Sequence, residues 1–123
     1  MNIEPSTADS GCTAAQLFDL VWEAMADVLG TAATATLMRR SAKRAAARRR
    51  DLDLLVVSRS GFNYSYRVPD DWLVCGTEPV MSVRELAREL SPLLVELTGS
   101  VIIRRLSAIP ALQRCDVMFE ERR

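Results

Sequence analysis

The sequence predicts an α+β fold, mainly helical, with an N-terminal helical region, one β-hairpin and C-terminal helices. Three observations carry this. Apolar residues recur at helical spacing before residue 50 and after residue 80. Between them, two strand-like runs flank a Ser–Gly pair. Capping patterns precede the helical stretches. The 123 residues amount to one domain, and a chain that is 49% hydrophobic buries a core without disulfides or metals. Residues 1–11 are expected to form a flexible tail, 12–115 a single globular domain and 116–123 a charged C-terminal end.

Thr13 followed by Gln16 fits a capping box, so a helix should begin near Ala14. Leu17, Val21, Ala24 and Val28 make one apolar stripe, and Phe18, Trp22, Met25 and Leu29 make a second beside it. So wide a face suits burial against more than one neighbour. Gly30 interrupts the pattern, but a helix-interior glycine costs only about 1 kcal/mol. The expectation is therefore a helix that continues, or kinks mildly, toward Arg49, with a break into two helices left open. Leu52–Arg59 and Phe62–Val68 then predict a hairpin turning at Ser60–Gly61, with Phe62, Tyr64, Tyr66 and Val68 on its buried side. Asp70–Val80 is expected as a loop with Trp72, Leu73 and Val74 tucked inward. Ser82 and Glu85 suggest a second capping box, followed by Val83, Leu86, Leu90, Leu94 and Leu97 in helical phase. Pro92 allows either a kinked helix or a fresh one capped by Ser91, and Gly99 is a natural stop. Val101–Leu106 fits helix slightly better than a third strand.

Several kinds of chemistry are disfavoured by what the chain contains. There is no histidine, the commonest general base and zinc ligand. The three cysteines, Cys12, Cys75 and Cys115, are odd in number and widely separated, so reduced thiols are expected in place of a disulfide framework or a zinc site. No glycine-rich phosphate loop or metalloprotease motif occurs. Cys75 lacks a histidine to activate it, and Asp70 and Asp71 suit a turn better than paired acid–base work. The aromatics Phe62, Tyr64, Tyr66 and Trp72 suit a buried sheet face better than a ligand platform. No catalytic residue, cofactor or metal is expected, nor a signal peptide or membrane-spanning stretch, and the expected location is the cytoplasm.

Charge is unevenly distributed although the formal net charge is zero. Residues 1–38 carry five acids and no base, whereas residues 39–50 carry seven bases and no acid. On a continuous helix Arg39, Arg40, Lys43, Arg44, Arg48 and Arg50 share one half of the surface. Asp19, Glu23 and Asp27 form an acidic stripe near the other end. The basic stretch is open to three readings: a solvated helix end, self-association in which acidic and basic stripes meet across a two-fold axis, or binding of phosphates. The function expected from these features is a non-enzymatic regulatory or adaptor module acting through protein–protein contact. Its expected partner is a second copy of itself or another protein. The alternative is anion or nucleic-acid binding through residues 39–50, using Arg39, Arg40, Lys43, Arg44, Arg48 and Arg50.

Overall fold

The computed structural model describes residues 13–120. The expected tail over residues 1–11 lies outside the described residues, as does Cys12. The described chain holds five α-helices and one two-stranded antiparallel hairpin. The order is α1 (Ala14–Leu29), α2 (Thr31–Ala45), a 3-10 turn (Arg50–Leu54), β1 (Val56–Ser60), β2 (Asn63–Arg67), a second 3-10 turn (Asp70–Leu73), α3 (Thr77–Thr98), α4 (Val101–Ser107) and α5 (Pro110–Arg114). The fold class is the one the sequence predicts.

Helix α1 starts on the expected capping box: the Thr13 hydroxyl accepts from the Gln16 amide at 3.1 Å, and the Gln16 side chain accepts from the Thr13 amide at 2.9 Å. Leu17, Phe18, Val21, Trp22, Ala24 and Met25 are buried. Both predicted stripes therefore face the core, except at the last turn, where Val28 is 40% exposed.

The helix does not continue through Gly30. This residue sits at φ 86° and ψ 164°, a region that only glycine occupies without strain. A straight helix from Ala14 to Ala45 would be about 48 Å long, longer than a compact domain of this size, which is about 35 Å across. Breaking at Gly30 lets Thr31–Ala45 pack on both α1 and α3. Thr34, Ala35, Leu37, Met38, Ser41, Ala42 and Ala45 form the buried side of α2. The helix then ends at Ala45, short of the expected Arg49, so the basic stretch is divided between a helix, a turn and a 3-10 segment.

The hairpin forms, but one residue further on than its composition suggests. Residues 50–54, expected partly as strand, make a 3-10 turn around the buried Leu52. The register pairs Ser60 with Asn63 and Val57 with Tyr66, placing Gly61 and Phe62 at the turn in place of Ser60 and Gly61. Gly61 has φ 64°, while Phe62 has a negative φ, the pattern of a type II′ turn. Phe62 is consequently 93% exposed, which overturns its expected burial. Tyr64, Tyr66 and Val68 are half-buried while Asn63, Ser65 and Arg67 are exposed, so the rest of the alternation is as expected.

Trp72 lies at the centre of the core with no exposure, but its neighbours Leu73 and Val74 face solvent, contrary to expectation. Helix α3 begins at Thr77, inside the expected loop, and Ser82 does not cap it because its hydroxyl is turned inward. Pro92 is accommodated within this one helix, and Ser91 donates to the Ala87 carbonyl at 2.9 Å instead of capping a new one. Gly99, at φ 63°, ends α3. Residues 101–107 are helical. Val117 and Phe119 are buried, so part of 116–120 packs against the domain, while residues 121–123 of the expected charged end lie outside the described residues.

Candidate partner-binding surface

Half of the expected basic site is engaged within the chain. Arg44 and Arg48 are four residues apart, and so are Glu85 and Glu89 on α3. Arg48 bridges the two glutamates at 2.6 Å each, and Arg44 reaches Glu89 at 3.3 Å. Those hydrogen bonds, to Glu89 and then Glu85, hold the Arg48 guanidinium above its usual pKa. Arg39 caps the Val57 carbonyl at 3.3 Å. Arg40, Lys43 and Arg50 have no ion-pair partner among the described residues. The matching i, i+4 spacing of Glu85 and Glu89 was the sequence signal for this arrangement.

The acidic stripe is also used locally. Tyr66 donates its hydroxyl to Asp19, and Arg105 pairs with Asp27. Glu23 alone of the three acids has neither a hydrogen bond nor an ion pair among the described residues, whereas Asp19 has the hydrogen bond but no ion pair. The charges expected to meet across a dimer axis are therefore in part satisfied inside one chain, with Arg40, Lys43, Arg50 and Glu23 left open among the described residues.

Arg49, which points to the apolar side, belongs to a polar knot that sequence reasoning missed. The Asp51 carboxylate accepts from Trp72 Nε1 at 2.8 Å and from Ser82 Oγ at 2.7 Å. Ser82 Oγ in turn accepts from Arg49 Nε at 3.1 Å, and Arg49 Nη2 donates to the Glu78 carbonyl at 2.7 Å. Trp72 and Ser82 are wholly buried, so this knot ties both 3-10 turns to α3.

An open depression of ≈ 510 Å³ lies beside the knot, lined in part by Arg48, Arg49, Arg50 and Cys75. Its lining also includes Asp51, Asp71 and Glu78, as many acids as arginines, so it presents no net attraction for an anion. A second depression, of ≈ 580 Å³, sits beside Pro92 and is likewise mixed in charge. Among the described residues no group of three or more Cys, Asp or Glu is placed to hold a metal, and no helix is long and apolar enough to cross a membrane.

The hairpin is the feature that the intramolecular contacts leave open. Its inner face rests on α1 through Tyr66, whose ring meets Phe18 at 4.7 Å edge-on and Trp22 at 4.9 Å. The aromatic group is thus core packing and not a ligand platform, with Phe62 outside it. The outer face carries Val56, Ser58, Ser60, Asn63, Ser65 and Arg67, all exposed. Phe62 projects at the tip, and Leu54 and Val56 are exposed at the base. Two strands alone make a marginal sheet with two edges, of which that of β1 is covered at Val57 by Arg39. Compared with known protein families, curated proteins and solved structures, the chain matches none.

Proposed function

We propose that the protein is a non-enzymatic regulatory or adaptor module that acts through protein–protein contact as a homodimer. The observation that carries this reading is the exposed hairpin, a two-stranded sheet with an aromatic side chain at its tip and apolar side chains at its base. Aromatic anchors dominate the energetics of protein contacts, and open strand edges pair with other chains. Cytoplasmic location belongs to the same proposal. Sedimentation equilibrium of the full chain tests it: the reading expects a species of twice the 13.7 kDa chain mass at micromolar concentration. A mass of one chain at every concentration, with no partner required, overturns the homodimer.

The alternative, an anion or nucleic-acid binder, is favoured by one observation: Arg40, Lys43 and Arg50 remain without ion-pair partners among the described residues. It expects binding to a DNA or RNA duplex that weakens with salt at a log–log slope of about −3, one ion released per phosphate neutralised. No binding at low salt would end this alternative.

A further inference from the structure

We propose that β2 is the dimer edge: two copies join through antiparallel pairing of their β2 strands about a two-fold axis at Ser65, making one four-stranded sheet. This rests on the protein-contact reading above and names its surface.

The backbone pattern selects the edge. A two-residue turn makes Ser60–Asn63 the closing hydrogen-bonded pair, so Ser58–Ser65 and Val56–Arg67 are the next bonded pairs along the ladder. The N–H and C=O groups of Val57 and Arg59 on β1, and of Tyr64 and Tyr66 on β2, therefore point away from the hairpin. On β1 that edge is occupied, since Arg39 of α2 covers the Val57 carbonyl with two of its nitrogens, at 3.3 and 3.4 Å. On β2 no described residue makes a backbone hydrogen bond to Tyr64 or Tyr66 beyond the hairpin itself. No proline, lysine or inward-pointing charge, the usual guards of an edge, lies within Asn63–Arg67.

The strand is also complementary to itself. About an axis at Ser65, Tyr64 faces the partner's Tyr66 in a hydrogen-bonded pair, which satisfies the outward N–H and C=O of both. Ser65 faces its own copy, and Arg67 faces the partner's Asn63, so no like charges stand opposite each other. On the inner face the row across the joined sheet reads Val57, Tyr66, the partner's Tyr64 and the partner's Arg59. That puts the partner's Arg59 on the face where Asp19 and Glu23 lie; neither acid has an ion pair among the described residues, and Glu23 has no hydrogen bond either. Around the axis the outer face is small and polar, with Ser58, Ser60, Asn63 and Ser65, while Val56 and Arg67 lie at the far end of the ladder.

Cross-linking tests the register. In a chain with Cys12→Ser, Cys75→Ser and Cys115→Ala, Ser65→Cys places two thiols opposite each other on the axis, with Cα atoms about 4.5 Å apart. Oxidised glutathione should convert this variant to a disulfide-linked dimer. Ser58→Cys, on the same face but about 14 Å from its copy across three strand spacings, should stay a monomer on a non-reducing gel. Ser65→Lys and Ser65→Glu, both at an exposed position, should each dimerise about fivefold more weakly or worse, and a mixture of the two should recover the association. A wild-type protein that stays monomeric overturns the homodimer of the reading above, and with it the β2 edge. A wild-type dimer in which Ser65→Cys fails to cross-link, or in which the two charged variants associate like wild type, overturns the β2 edge and leaves that reading standing.

Discussion

Replacing Asp51 by Ala should be among the most damaging single changes in the chain, although Asp51 is only partly buried. The carboxylate is the common acceptor for Trp72 Nε1 and Ser82 Oγ, both in side chains with no solvent exposure. Hydrogen bonds to a charged group contribute about 1.5–3 kcal/mol each. Removing the acceptor also strands the indole N–H where water does not reach it, while Ser82 keeps its contact with Arg49. The expected loss is about 3–5 kcal/mol, a large share of a total stability of about 5–15 kcal/mol. Asp51→Asn keeps one acceptor oxygen and should lose about half as much. Urea unfolding followed by far-ultraviolet circular dichroism measures both, and Trp72→Phe completes a double-mutant cycle. A loss below about 1 kcal/mol for Asp51→Ala, or a cycle with no coupling, would refute the idea that this knot holds the two 3-10 turns to α3.

Gly30→Ala should cost about 1–3 kcal/mol through backbone strain alone, since nothing lies within 4 Å of the added methyl group; thermal unfolding reads this directly. Arg48→Ala should cost no more than about 1 kcal/mol in urea unfolding, because the pair is half exposed to solvent. Phe62→Ser should leave the unfolding midpoint of the monomer unchanged, as the ring packs against nothing, but should weaken association measured by sedimentation. Burial, and after it the bond to Asp19, raises the Tyr66 pKa. The unfolded chain then ionises first, so the contribution of Tyr66 is whole below about pH 10 and is lost as pH rises beyond it. Tyrosinate absorbance should show Tyr66 ionising only at a higher pH than the ordinary tyrosine range, and stability should fall over the same alkaline interval.

The parts of the fold that local chemistry decides were legible in the sequence. The Thr13–Gln16 box, the two apolar stripes of α1, the hairpin and the stop at Gly99 each rest on a few neighbouring residues. What was hidden depended on distant partners. Ser82 and Glu85 have capping spacing, but Ser82 is claimed by Asp51 and Glu85 by Arg48, residues more than 30 positions away. Gly30 costs little in a helix, so local propensity could not settle whether α1 and α2 were one helix, whereas the packing of α2 on α3 does. The basic stretch was visible as a run of charge, yet its division into engaged and open residues depends on where Glu78, Glu85 and Glu89 arrive from α3. The hairpin's turn was misplaced by one residue because Gly61 can occupy either central position. That slip moved Phe62 from the expected buried face to the exposed tip.

Amide hydrogen exchange at β2, followed by nuclear magnetic resonance across a dilution series, tests the proposed contact most directly. Ser65 donates within its own hairpin and should exchange at the same rate at every concentration. The Tyr64 and Tyr66 amides point outward, so they should exchange freely in dilute protein and become protected as concentration rises, in step with the dimer mass from sedimentation. Protection of Tyr64 and Tyr66 that does not change with concentration, or a dimer in which both remain unprotected, would contradict pairing through β2.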